Sequence, residues 1–578
     1  MNDPAALAEL HHYGAQLAAE GCDRGQVAES LLRKARAEGL WEHLGADYMG
    51  VIDTIAGRVL PGANGASRAV DRPSIQLDDR QLDAVIDDAV AALIRANNPP
   101  ELFLRAGAVV VIRRDEEARP VVAQVNETAL LERLASAARW YRGTSKKLRE
   151  AGPTRELAAV VLQRLLRAEG VLPPLRGVTA SPLMRANGSI LDEPGYDAAT
   201  RLYYAPSRGL DMGVVPETPS PDQVRAALQP LDELFFDFPF VGDADAAAAL
   251  ALLLTLLLRE IFEGCAPLWL YDAPAPGTGK GLIADTITTV ATGAAAPKMP
   301  EPDGRGDDEW RKRLTALLLE GRSVAVLDNL ERPLGSASLA TALTAEVWED
   351  RALGASQMIM VPNRAVFIAT GNNLRLRGDL PRRCVWCRLD AKHARPWTRD
   401  GFQHPDLLGW ARDHRGELLN AVFTLARAWI AAGRPGPDES VPRLGSFEGW
   451  RHTIGGILGV AGLPGFLANV AQLYETADEE TPAWAAFLAA WRTVFGSEAA
   501  TVADLIERMK KNIHGPLAEA LPGELAEALE KPSAAKRIGR ALARKAETRF
   551  TLDDGATLRL ARERDTHAKV LRWRVEKG

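Results

Sequence analysis

Three stretches of the sequence predict an α/β fold built on a parallel sheet with a phosphate-binding edge. In Leu268–Val290, LWLYDAPAPGTGKGLIADTITTV, a short apolar run reads as a buried parallel strand. Pro274 and Pro276 stop that strand, Gly277 and Gly279 make a flexible turn, and Lys280 opens a helical run. In 323–329, SVAVL is a second buried strand, ending in Asp328-Asn329. In 365–373, AVFIAT is a third, ending in Gly371-Asn372-Asn373.

Strand, glycine-rich loop and helix start together form a phosphate cradle. Backbone N–H groups point inward, and the helix dipole adds positive potential where an anion would sit. The cradle residues are Ala273, Pro274, Pro276, Gly277, Thr278, Gly279, Lys280, Gly281 and Leu282. Lys280 is expected to reach the β- and γ-phosphates of ATP. Against the pattern G-x-x-x-x-G-K-[ST], Pro274 replaces the first glycine, and Gly281 replaces the hydroxyl that normally ligates Mg²⁺. A glycine-rich turn with a chance lysine fits the loop taken alone. Asp328, at the carboxyl end of its strand, is expected to hold the Mg²⁺ water shell. Asn329 stands where a catalytic Glu is usual, and Glu331 is the candidate for orienting the attacking water. An Asn at the third strand end can sense the γ-phosphate or position water, and both Asn372 and Asn373 are candidates. Arg382 and Arg383, before the strand CVWCRLD, suit an arginine finger acting across a subunit boundary.

The chain has 578 residues, 47% hydrophobic and 25% charged, enough to bury sizeable cores. Its net charge of −6 gives no global attraction to nucleic acid. Counting residues 533–578 gives 13 Lys and Arg against 6 Asp and Glu, or +7, which leaves −13 for the rest. Four cysteines make no disulfide framework and fit a reducing cytoplasm, and Cys384-Val-Trp-Cys387 reads as packing. MNDPAALAEL has no signal-peptide pattern, and the apolar run 246–258 is too short to span a bilayer, so no membrane association is expected.

Taken in order, 1–60 reads as a helical module and 61–75 as a linker. Residues 76–220 read as a mixed α+β domain: a helix from Gln81 to Ala96, strands in LFLRAGAVVVIRR and VVAQV, a helix over ETALLERLASAARWYR, then short hairpins. The core spans 221–400. Within it, LGASQMIMVPNRAVFIAT reads as two strands about a turn at Pro362-Asn363, a hairpin able to project from the core. Helices over 401–495 form a lid. Residues 496–578 end in a basic helix and strand pairs with a turn at Asp553-Asp554-Gly555, which is winged-helix-like.

DAPAPGTGKGLIADTI, VAVLDNL, LTAEVWEDRALG, ATGNNLRLRGDLPRR and GSFEGW, in that order, resemble the AAA+ ATPases of phage, prophage and integrative-element replication modules. Those proteins are akin to superfamily 3 and poxvirus-type primase-helicases. The resemblance covers about residues 230 to 465. It implies a ring-forming, usually hexameric ATPase that moves along single-stranded or forked DNA with ATP and Mg²⁺, with a primase or polymerase as partner. It gives Lys280 the loop role, Asp328 the metal role, Asn372 or Asn373 the sensor role and Arg382 or Arg383 the finger. It places a DNA-contacting pore hairpin near 358–364, with Arg364 as its cation. The basic end would add Arg540, Arg544, Lys545, Arg559, Arg562 and Arg572 as DNA contacts. No set of primase metal carboxylates is visible. The competing expectation is a nucleotide-sensing, DNA-binding initiator or scaffold that hydrolyses little or no ATP, which the replacements at Gly281 and Asn329 favour.

Overall fold

The computed structural model describes residues 72–578 except 117–118, 145–146, 169, 208, 303–305, 352–357, 478–479, 553, 565–569 and 578, plus positions 10, 13, 30–32 and 34–35. The N-terminal module and most of the linker lie outside the described residues. The chain divides into two compact units, one from Met1–Asn98 and Asn126–Arg167, the other from Pro99–Val125 and Ala168–Gly578.

The first unit has a three-stranded sheet with Arg139–Arg142 at its centre, parallel to Ser74–Gln76 and antiparallel to Arg149–Ala151. Three helices accompany it: Leu82–Ala96, Glu127–Ala137 and Arg155–Arg167. Val85, Ile86, Ala89, Val90 and Leu93 recur at helical spacing on the buried side of the first. The helix expected over 127–142 is shorter. Ala138 turns extended, and Trp140 enters the sheet with its indole N–H on Leu134 O at 2.8 Å.

The second unit is organised around helix α1 (Asp243–Leu257) and a five-stranded sheet of β1 (Leu268–Ala273), β2 (Lys298–Pro300), β3 (Val324–Leu330), β6 (Val366–Asn372) and β7 (Cys384–Arg388). Strands β4 (Val347–Arg351) and β5 (Met358–Pro362) form a separate antiparallel hairpin. The sheet order is β2-β3-β6-β1-β7 and every pairing is parallel. All strands therefore end on one edge. α1 is almost all Ala and Leu, strong helix formers, and is apolar on all sides because it is buried. Its buried Asp245 is satisfied by Arg388 N at 2.8 Å and Asn469 Nδ2 at 3.0 Å. Trp269 of β1 stacks edge-on against Trp450 of helix Glu448–Val460, with ring centroids 5.7 Å apart. That contact covers the sheet with the following helices.

The hairpin is placed differently from expectation. Its strands pair Trp348 with Val361, and residues 352–357 between them lie outside the described residues. Pro362-Asn363 is the exit from the hairpin instead. Asn363 Nδ2 donates to Ala342 O at 2.6 Å and Ala345 O at 2.9 Å, which fixes the chain as it turns into β6.

The C-terminal body has its own core. Helix α4 (Glu480–Phe495), expected in the lid, belongs to it. Trp484, Phe487 and Trp491 share one face of α4 and pack with Leu505, Ile538, Leu542, Leu560 and Trp573. Helix α5 (Ala534–Lys545) is followed by the antiparallel strands β8 (Arg549–Thr551), β9 (Thr557–Arg564) and β10 (Leu571–Lys577). Gly555, at φ 83°, shapes the β8–β9 turn. Among the described residues no helix is long and apolar enough to cross a membrane.

Candidate active site

The glycine loop joins β1 to helix α2 (Lys280–Thr292). Gly277 and Gly279 take φ of 75° and 105°, and a Cβ on Gly277 would meet Trp397 Cβ at 2.9 Å. Both positions thus require glycine. Gly279 caps α2 without a side-chain acceptor, so the first N–H groups of α2 lack a side-chain cap. Thr278 braces the loop by donating to Ala275 O at 2.7 Å. Pro274 and Leu282 are exposed at its rim.

Lys280 is 8% exposed. Its Nζ donates to Asn372 Oδ1 at 2.6 Å and Ala275 O at 3.3 Å. Burial lowers its pKa, and the charges of Asp272 and Asp328 pull it partly back. Asn372 reaches the lysine because β1 and β6 pair Ala273 with Asn372. Its neighbour Asn373 takes φ 48° and turns back to the loop, with its N on Ala273 O at 3.1 Å and Nδ2 on Pro274 O at 3.4 Å. The structure therefore separates the two asparagines: Asn372 faces the cation and Asn373 holds the loop base.

Asp328 Oδ1 accepts from Thr370 Oγ1 at 2.7 Å, and that hydroxyl accepts from Asn329 N at 3.0 Å. Asn329, at φ 54°, marks the irregularity where β3 leaves its register with β6. Its side chain is exposed and lies 3.5 Å from Glu331 Oε1. Three further groups, not anticipated from the sequence, complete the site. Thr370 orients Asp328. Lys298 Nζ lies 2.9 Å from Asp285 and 4.0 Å from Asp328. Asp272, buried and raised in pKa by that burial, accepts from Leu374 N at 3.0 Å beneath the lysine. Burial alone would lower Lys298, but the bond to Asp285 and both carboxylate charges outweigh it and raise its pKa. A polar residue near the strand end was the available signal for Thr370, whereas Lys298 opens its strand and carried no such signal. Their convergence depends on the strand order.

A Cβ on Gly281 would lie 3.5 Å from Lys298 Nζ. The position where the usual hydroxyl stands thus faces an ammonium group. Asp328 still has Oδ2 for a cation, and Mg²⁺ needs only one or two carboxylates when phosphates and water supply the rest. The donor set fits that mode of binding. Among the described residues no group of three His, Cys, Asp or Glu forms a preassembled metal cage.

The two arginines diverge. Arg382 is half exposed and pairs with Asp379 at 2.6 Å. Arg383 is 12% exposed and donates to Thr344 Oγ1 at 2.6 Å and to Ala340 O, with Asp379 also against it. It is committed within its own chain and has no free reach across a boundary. Arg364 departs most from expectation. It lies beyond the hairpin, mostly buried, and is held by Arg259 O and by Glu260 at 3.6 Å. Cys384 and Cys387 are buried, and burial pushes both thiols upward in pKa.

In the C-terminal body, Lys536, Arg537, Arg540 and Arg544 occupy one exposed stripe of α5, opposite Ile538 and Leu542. Lys536 and Arg537 were not anticipated, although helical spacing contains them. Arg544 is paired with Glu524, and Arg559 with Glu576 at 2.7 Å and Glu547 at 3.1 Å. Arg559 thus braces the sheet through two ion pairs. Lys545 lies 5.9 Å over the Trp484 ring. Arg562 and Arg572 are exposed.

No protein-family model matches the chain, and no curated protein matches it significantly. Solved structures are similar to it, among them two of NrS-1. One is the A-form apo structure of the NrS-1 C-terminal region, at 12% identity and TM-score 0.33, covering 83% of this chain and 98% of that one. The other is the apo structure of NrS-1 residues 305–718, at 13% identity and TM-score 0.31, covering 73% and 83%.

Proposed function

We propose that this protein is an ATP hydrolase of AAA+ type whose turnover drives movement along DNA, acting as a ring in the replication of a phage or other mobile element. The observation that carries the reading is the meeting of Lys280, Asn372 and Asp328 beside the glycine loop. Three strand ends distant in sequence place a buried cation, an amide and a carboxylate at a helix N-terminus, where a triphosphate would lie.

On this reading the loop N–H groups and Lys280 bind the β- and γ-phosphates. Asn372 holds Lys280 in place before nucleotide arrives. Mg²⁺, when bound, would neutralise charge on the β- and γ-phosphate oxygens, with Asp328 as its protein ligand. Thr370 keeps Asp328 turned toward that position. Glu331, exposed in the same cleft as Asp328, is the carboxylate that would orient water. Arg382 would supply the positive charge from a neighbouring subunit, and the α5 stripe with Arg562 and Arg572 would hold phosphates of DNA.

Gly281 beside Lys298 favours a second reading, a nucleotide-sensing DNA-binding initiator. An ammonium between Asp285 and Asp328 competes with a metal ion for Asp328. ATPase rate measured with and without single-stranded DNA tests both. DNA-stimulated turnover supports the motor, whereas ATP binding without turnover supports the sensor.

A further inference from the structure

A second group of cations lies at the opposite end of the sheet, where Ser323 leads into β3 and Arg364 into β6. A cavity of about 80 Å³ there is lined by Arg105, Arg176, Arg259, Arg322 and Arg364, with Glu260 as the carboxylate in its wall. Arg105 is 5% exposed, yet it meets no carboxylate among the described residues. Its guanidinium donates to the carbonyls of Leu318 at 3.0 Å, Leu319 at 3.4 Å and Arg176. Arg259 is 6% exposed and donates Nη2 to Gly264 O at 2.6 Å, while its Nε and Nη1 are buried without a partner among the described residues. Arg364 has an unpartnered buried Nε as well. Glu260 is shared between Arg176 and Arg364.

Arg322 is paired with Glu320 at 2.6 Å, so the other four guanidinium groups face one carboxylate, and Glu346 acts on Arg364 from farther away. Arginine cannot relieve this by losing its proton at ordinary pH. Burial, followed by repulsion from Arg364, pushes Arg259 down to about 9. Buried donors without partners and an excess of buried charge are both costly. A single oxyanion would satisfy both, because guanidinium N–H pairs match phosphate oxygens. The cavity is several times the about 10–15 Å³ that one water needs. It is far below the roughly 300–1,000 Å³ of sites that enclose a drug-sized molecule.

We propose that this cavity binds one phosphate group, as the free ion or as the terminal phosphate of a mononucleotide. The site is separate from the glycine loop and does not depend on the function proposed above.

Isothermal titration calorimetry of the full chain carrying Lys280→Ala, which removes the loop cation, tests it with inorganic phosphate at fixed ionic strength. One site per chain is expected. In that background Arg364→Gln should weaken binding at least tenfold. Glu260→Gln, which removes the competing carboxylate, should tighten it, so the result does not rest on one variant's folding. Titration with 5′-AMP separates the sources. Competition between AMP and phosphate assigns a nucleotide's phosphate to the cavity, and phosphate binding alone assigns the free ion. Absence of phosphate binding, or binding unchanged by both substitutions, overturns the proposal.

Discussion

The carboxyl edge of the parallel sheet and the exposed face of α5 both concentrate charge, under opposite conditions. At the sheet edge one buried lysine is surrounded by Asn372, Asp272 and Asp328, and both carboxylates are held in turn by a second group. On α5 four cations stand in water, and Arg544 is already paired with Glu524. A buried charge acts through one geometry at low dielectric, so its removal is felt in full. Solvated charges act as a sum, each screened and each replaceable. On the proposed function, specific chemistry is expected at the edge and salt-dependent adhesion at the stripe.

The sharpest way to break this contrast is Arg382, an exposed residue assigned a large effect. Arg382→Ala is expected to keep nucleotide binding and lose about a thousandfold or more in turnover, the size of effect that arginine fingers carry. Mixing it with Lys280→Ala should restore activity at shared boundaries. ATPase assays across protein concentration check this, and full activity in a monomer sinks it. Arg383→Ala should differ in kind. It removes a buried bond to Ala340 O and Thr344, so a lower melting temperature is expected.

Next in size, Lys280→Ala and Asp328→Ala should each lower ATPase about tenfold to hundredfold. A charge-assisted buried contact is worth ~1.5–3 kcal/mol. Steady-state kinetics on both variants test the edge, and parental rates in both would remove it as the active site. Trp573→Ala sharpens the comparison from the other side. It should cost roughly 3–5 kcal/mol by opening the core beneath the stripe, read as loss of the C-terminal unfolding transition in denaturant.

Changing Lys536, Arg537 and Arg540 together to Gln should leave basal ATPase intact. For every DNA phosphate no longer neutralised, the log–log salt slope of single-strand binding should become shallower by roughly 0.7. Fluorescence anisotropy at several salt concentrations reads it. The smallest effect concerns pH. Because burial lowers Lys280, its charged form is lost at lower pH than for a free lysine. Nucleotide affinity should therefore decline on the alkaline side before an ordinary lysine titrates, and Lys280→Arg should flatten the decline. A profile identical in the two proteins would refute that assignment.

Much of this architecture could be read along the chain. LWLYDA, SVAVL and AVFIAT are apolar runs bounded by Pro, Gly or Asp, and each became a buried parallel strand of one sheet. The basic helix and following strands appear at 534–577, where period and turn chemistry are both local. The hairpin was legible as a feature, but its partner strand was not: 358–362 pairs with 347–351, and AVFIAT joins the parallel sheet. Pro362-Asn363 has turn chemistry, whereas the pairing of Trp348 with Val361 depends on residues outside that local run.

The sequence by itself determined which segments could be strands, where a phosphate-sized turn could form and which residues could carry charge there, because those properties depend on near neighbours. Tertiary structure alone decided between adjacent residues of the same type. Asn372 faces Lys280 and Asn373 does not, and Arg382 is exposed while Arg383 is spent. It also brought Lys298 and Thr370 to Asp328 and drew Arg364 into a cavity with Arg259. The reason is geometric. Side chains one residue apart point in different directions, and strand register across the sheet selects which direction meets the site.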